Sequence, residues 1–203
     1  MKHKLGIVSM ILGAALLLGA TGLFVWNRME SNRAEQASAE LIPQLSAAIA
    51  EHTTQTDPVP DAAVPLPPVE KEMVTVEIDG YPYIGYLTIP PLGLELPVMA
   101  DWDYTRLKIA PCRFSGSTFG ENLVVAAHNY RRHFGSIREL QPGDEVAFTD
   151  MEGNVTIYQV AVTDIVAPTA VEEVTAGDFP LTLVTCTYGG KTRLVVYCDA
   201  ITN

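Results

Sequence analysis

Three residues in this sequence stand where apolar, β-branched runs begin or end: Cys186 closes LTLVTC, Arg193 opens RLVVYCDAI, and His128 closes NLVVAAH. Only the loop TYGGKT separates the first two. A hairpin of runs 181–186 and 193–199 sets Cys186 beside Arg193, with opposed Cβ atoms roughly 4.5 to 5.5 Å apart. A guanidinium beside a thiol favours the thiolate, the nucleophilic form of cysteine. Its N–H groups can also hold the oxyanion that develops when that thiolate attacks a carbonyl. Such chemistry needs a third group to move protons, and the sequence offers four histidines. His3 precedes a long apolar segment and His52 lies in a linker, so neither is held in a site, while His133 falls in the polar turn NYRRHFGS and reads as a solvated loop residue. His128 remains, and two strands ending in reactive side chains at one barrel rim would gather His128, Cys186 and Arg193. Taken singly, each has a blander reading as core filler, capped surface histidine or solvated cation.

The elements that must position them are short. From Met73 onward, eight β-rich runs follow one another: MVTVEI, YIGYLTI, LELPVM, NLVVAAH, DEVAFTD, NVTIYQVAVTDIV, LTLVTC and RLVVYCDAI. Turn residues such as PPLG, PGD and EGN punctuate them, which predicts a mostly antiparallel all-β domain, barrel or sandwich. Helix is expected only as short turns near Tyr104–Lys108 and Ser136–Leu140. No internal repeat is visible.

Ahead of this domain, LGIVSMILGAALLLGATGLFVW (residues 5–26) carries no charge. As a helix it covers about 33 Å, enough for a bilayer and longer than the apolar region of a cleaved signal peptide. The four preceding residues form a short cytoplasmic tail in the simpler orientation, with the body exported; the flanking charges Lys2, Lys4, Arg28 and Arg33 bias orientation only weakly. Residues 27–72 read as a stalk. A weak helix kinked at Pro43 comes first, then five prolines between residues 58 and 68 that favour extended polyproline and cannot build a core. Residues 73–203 form the folded domain.

The net charge of −11 is spread without any basic run, which excludes nucleic acid as an expected partner. Three cysteines leave at least one thiol unpaired in an exported domain. Cys198 alternates away from Arg193 toward the core, Cys112 is placed in a loop, and a Cys112–Cys198 bridge would leave Cys186 alone as a free thiol.

Thr182–Cys186 with Arg193 on the next strand resembles the TLxTC signature of sortases, the Gram-positive cysteine transpeptidases. Residues 84–99, 114–129 and 134–160 are similar to that family's first strands, histidine-bearing segment and middle strands, so the resemblance covers nearly all of residues 75–201. It implies an eight-stranded closed β-barrel with short helices, preceded by the transmembrane helix and stalk. It also implies catalytic roles for His128, Cys186 and Arg193 at one rim, a groove shaped by loop 167–180, and substrate contact by Thr185, although strand alternation turns Thr185 away from Cys186. The implied reaction is acyl transfer: cleavage of an LPxTG-like C-terminal sorting signal through a Cys186 thioester, resolved by an amine of a peptidoglycan precursor or a pilin lysine. No cofactor or metal is required, and no tight acidic cluster suggests the calcium used by some members. The Cys motif, with its CTY and short Cys-to-Arg spacing, is similar to class B, whereas loop 167–180 lacks that class's long helical insertion. Asp57 and Pro58, followed by Val59, depart from the aromatic-bearing lid of class C. Two other readings stand beside this one: a membrane-tethered, non-catalytic binding barrel, and a hydrolytic cysteine peptidase using the same three residues.

Overall fold

The computed structural model describes residues 2–55 and 71–201. Helix α1 runs from Lys2 to Gln55 and contains Pro43. A proline inside a helix withdraws one N–H and crowds the preceding turn, at about 3 kcal/mol in isolation. The helix carries on because one face is docked. Ala34, Ser38, Leu41 and Leu45, three or four residues apart, are all buried, and Leu41 and Leu45 pack with Tyr83, Met99, Leu107, Cys112 and Met151. The segment expected to lift the body away thus begins as a helix laid against it. The proline-rich stretch 58–68 and the Asp57–Pro58 pair lie outside the described residues. Earlier in α1, Leu16, Leu17, Leu18, Leu23, Phe24 and Trp26 are exposed. By length and composition this helix can cross a membrane.

Nine strands follow among the described residues: β1 (Val76–Ile78), β2 (Tyr81–Ile89), β3 (Leu94–Met99), β4 (Cys112–Ser115), β5 (Leu123–Ala127), β6 (Glu145–Asp150), β7 (Val155–Val166), β8 (Leu181–Cys186) and β9 (Arg193–Ala200). The ring β2-β3-β4-β5-β8-β9-β7-β6 closes by pairing β6 back onto β2, giving the expected eight-stranded barrel, with β1 as an extra strand on β2. Membership of the ring differs from the expectation in one place. The first β-rich run lies outside it as β1, and the segment CRFS, read as loop, supplies β4. Pairing is mostly antiparallel, but β3–β4 and β5–β8 are parallel. Helical turns occur at Arg106–Lys108 and Phe134–Glu139, where expected, and a four-residue helix α2 (Val171–Val174) stands in the β7–β8 loop.

Closure depends on Gly85. Its φ of +143° is one that side-chain-bearing residues rarely adopt, and a Cβ there would meet the Thr149 carbonyl oxygen at 2.0 Å. The barrel interior is filled by apolar side chains from every wall, including Ile84, Leu87, Val98, Val125, Phe148 and Leu183. A separate outer cluster of Val124, Val166, Val174, Val195 and Tyr197, joined by Phe179, pins the β7–β8 loop against the barrel wall.

Candidate active site

Strand register does most of the assembly. In the parallel pair β5–β8, Ala127 stands opposite Thr185. The next residues along each chain, His128 and Cys186, therefore leave adjacent strands at the same rim, about one strand spacing of 4.8 Å apart at the backbone. On the other side of β8, the antiparallel register ends with Cys186 opposite Arg193. The connecting loop turns through Gly189 and Gly190, both left-handed at φ +81° and +70°. Its neck is closed by Thr187, whose amide donates to the Thr192 carbonyl at 3.1 Å and whose hydroxyl lies 2.7 Å from that of Thr192. Arg193 Nη1 donates to the Gly190 and Thr192 carbonyls at 3.2 Å. That ties the guanidinium to the turn at the end of the hairpin, and its Nε and Nη2 make no hydrogen bond among the described residues.

These side chains line one groove of about 310 Å³, with Thr185 beside them. Thr185 is buried, and its hydroxyl donates to the Ala127 carbonyl at 2.8 Å, bridging β8 to β5 just below His128. This bond ties together the two strands that carry His128 and Cys186. Apolar residues complete the groove: Val166, Pro168 and Val171 from the β7–β8 loop, and Trp102, Tyr104 and Phe114 opposite. Trp102 packs edge-on to Tyr104 with centroids 5.8 Å apart and lies 5.3 Å from Phe114. Asp103 fixes this loop by accepting from the Thr105 and Arg106 amides at 2.6 and 2.8 Å. The aromatic wall escaped the sequence reading, although the pair of aromatics in ADWDY, outside any β-pattern, was the available signal.

His128 is half-buried. Its Nε2 is enclosed without a hydrogen-bond partner, and its ring stacks on Tyr130 with centroids 4.8 Å apart. Burial holds its pKa below the ordinary value; the positive charge of Lys108 adds to this and the carboxylate of Glu30, on α1, opposes it. Behind Tyr130, at 5.6 Å, comes His133. Contrary to the expectation of a solvated loop residue, His133 is fully buried, and neither ring nitrogen hydrogen-bonds to a side chain among the described residues. Burial, with the neighbouring His128, pushes its pKa down to about 4, the backbone of Ile109 offsetting only part. The polar letters around it misled because Arg131 and Arg132 point outward while His133 turns in against the barrel.

All three cysteines are free, so the conjectured Cys112–Cys198 bridge is absent. Cys112 is buried under α1 and Cys198 inside the barrel, in different clusters. Burial pushes both thiols up to about 12, leaving them inert, while Cys186 is partly exposed in the groove. Among the described residues, no three His, Cys, Asp or Glu side chains converge as metal ligands.

The sortase domain family model matches residues 87–201, more than half of the chain. Among solved structures, sortase C1 from Streptococcus suis is similar at 26% identity, with 60% of this chain and 74% of that one covered and a TM-score of 0.53. Sortase C1 from Streptococcus agalactiae is similar at 26% identity, with 63% and 72% covered and a TM-score of 0.54. A sortase D5 transpeptidase from Clostridium perfringens shares the fold over 82% of this chain and 99% of that one, at 20% identity and a TM-score of 0.61. No curated protein matches the chain.

Proposed function

This chain belongs to the sortase family of cysteine transpeptidases, and from that premise we propose that Cys186 is its nucleophile, His128 its general acid and base, and Arg193 its oxyanion and substrate clamp. The observation that carries the assignment is the shared register, in which β5–β8 sets His128 next to Cys186 and β8–β9 sets Arg193 opposite it, around one apolar groove.

The Cys186 thiolate attacks the carbonyl carbon of the scissile peptide bond, and the resulting oxyanion is held by the free guanidinium N–H groups of Arg193. The imidazolium of His128 gives its proton to the departing amine nitrogen, the C–N bond breaks, and a thioester remains on Cys186. An incoming amine then attacks the thioester; neutral His128 takes its proton, and the C–S bond breaks to return the thiolate. The apolar groove suits a leucine–proline segment of an LPxTG-like sorting signal, and the acceptor is an amine of a peptidoglycan precursor or a pilin lysine. Residues 5–26 anchor the enzyme in the cell membrane as a single span, residues 1–4 remain cytoplasmic, and the domain of residues 73–203 works outside.

The test is intact mass spectrometry of the full chain in mild detergent, mixed with a panel of sorting-signal peptides and an oligoglycine amine. A thioester on the parent protein and an amine-ligated product, both absent from Cys186→Ala, are expected. Release of acid alone in the presence of excess amine would favour the hydrolytic reading. No adduct with any peptide, together with unhurried alkylation of Cys186, would leave a binding barrel.

A further inference from the structure

A second cavity, of about 740 Å³, lies between α1 and the loop that follows His128. We propose that it binds the phosphate of an anionic membrane lipid, holding the catalytic rim down on the membrane surface. This rests on the membrane-anchor reading above.

Position is the first argument. The helical side of the cavity begins at Phe24, Asn27 and Arg28, where the uncharged segment ends at Trp26, and continues along one face through Ser31, Asn32 and Glu35. If residues 5–26 span the hydrocarbon layer, these positions sit at the depth of lipid headgroups. Charge is the second. Arg28, Arg131, Arg132 and Arg138 share the cavity with only two acids, Glu35 and Glu139, in a chain whose net charge is −11. Two of the four cations are engaged: Arg132 pairs with Glu35 at 2.9 Å, and Arg138 lies over the Tyr188 ring at 5.2 Å. Arg28 and Arg131 form no ion pair among the described residues. Gathered like charges repel unless an anion neutralises them, and guanidinium forks match phosphate oxygens in pairs. Each such cation at a membrane surface strengthens the hold on anionic lipid.

Tyr130 supplies the link to the active site. It lines this cavity and its ring is stacked on His128, so a headgroup seated there contacts the residue that supports the catalytic imidazole.

The full chain in neutral maltoside micelles would be mixed with equal amounts of phosphatidylglycerol and phosphatidylcholine and examined by native mass spectrometry. The wild type is expected to retain about tenfold more of the anionic lipid, and Arg28→Gln/Arg131→Gln to lose that preference, whereas Arg28→Lys/Arg131→Lys keeps part of it. Unaltered circular dichroism of the variants shows that they fold. Equal retention of both lipids, or a preference unchanged in the glutamine variant, overturns the proposal. Inorganic pyrophosphate bound as strongly as lipid overturns the lipid source in favour of a free phosphate. Lipid retention is read without turnover, so failure here leaves the thioester result standing, and solubility of the full chain without detergent would reveal failure of the anchor reading instead.

Discussion

Acid should loosen this fold through His133. In the unfolded chain its imidazole takes up a proton near pH 6.5, whereas in the fold it resists protonation until about pH 4, because the ring is buried and lies near His128. Between those values the unfolded chain binds more protons, so stability falls as pH falls. From pH 7.5 to 4.5 the loss from this one residue is roughly 2.5 kcal/mol, a large share of a typical domain's margin. His133→Leu keeps an apolar side chain of similar bulk and cannot charge. Urea unfolding of the full chain in mild detergent, followed by near-ultraviolet circular dichroism, would be run for both proteins across this range. The wild type should weaken by about 2.5 kcal/mol more than the variant, with the two converging toward neutral pH. Parallel pH dependences would show that His133 is reached by water or well hydrogen-bonded in the fold, and the reasoning would fall.

Three further outcomes follow from contacts at the site and its support. Lys108→Gln removes a charge that lowers the His128 pKa, and Glu30→Gln removes one that raises it, so an NMR titration of His128 should move up in the first and down in the second; shifts in the same direction would disprove the placement of α1 beside the site. Thr185→Val keeps shape but loses the bond to the Ala127 carbonyl, costing about 1 kcal/mol of stability by urea unfolding and lowering kcat/KM through a looser His128–Cys186 spacing. Leu45→Ala empties a fully buried position between α1 and the barrel, which costs about 2 to 5 kcal/mol, and should speed proteolysis within residues 34–45; unchanged cleavage would mean that the helix stands off the barrel.

The parts legible in the sequence were those governed by local pattern. Alternating or continuous apolar runs gave most of the strands, and the Gly189–Gly190 turn gave the Cys186–Arg193 pairing, because a hairpin is local and its loop chemistry is written in adjacent residues. The pairing of β5 with β8 spans more than fifty residues and no local signal announces it; it came only through family resemblance. β4 was missed because CRFS is short, follows a proline and lacks an apolar run, and it becomes a strand by pairing with β5 at Cys112 and Ala126. His133 differs from its reading for a physical reason: local preference speaks for a solvated turn, and tertiary burial overrides it.

That override bears on function. A barrel rim alone would leave His128 more exposed, yet here the imidazole is backed by Tyr130 and His133 and is acted on by Lys108 and, in the opposite sense, by Glu30 of α1. Helix α1 therefore acts on the candidate site as well as on the barrel wall. Its docked face, Ala34 to Leu45, fixes where Glu30 and Arg28 stand, since both lie within two turns of Ala34 on one continuous helix. A barrel cut free at Met73 would keep the Cys186–Arg193 hairpin and the β5–β8 register. It would lose Glu30, whose carboxylate favours the imidazolium form of His128 that the proposed reaction uses, and it would uncover Met99, Cys112 and Met151, the residues on which Leu41 and Leu45 now pack. The same helix thus opposes, in small part, the burial that lowers the His128 pKa, and it seats the barrel beneath it.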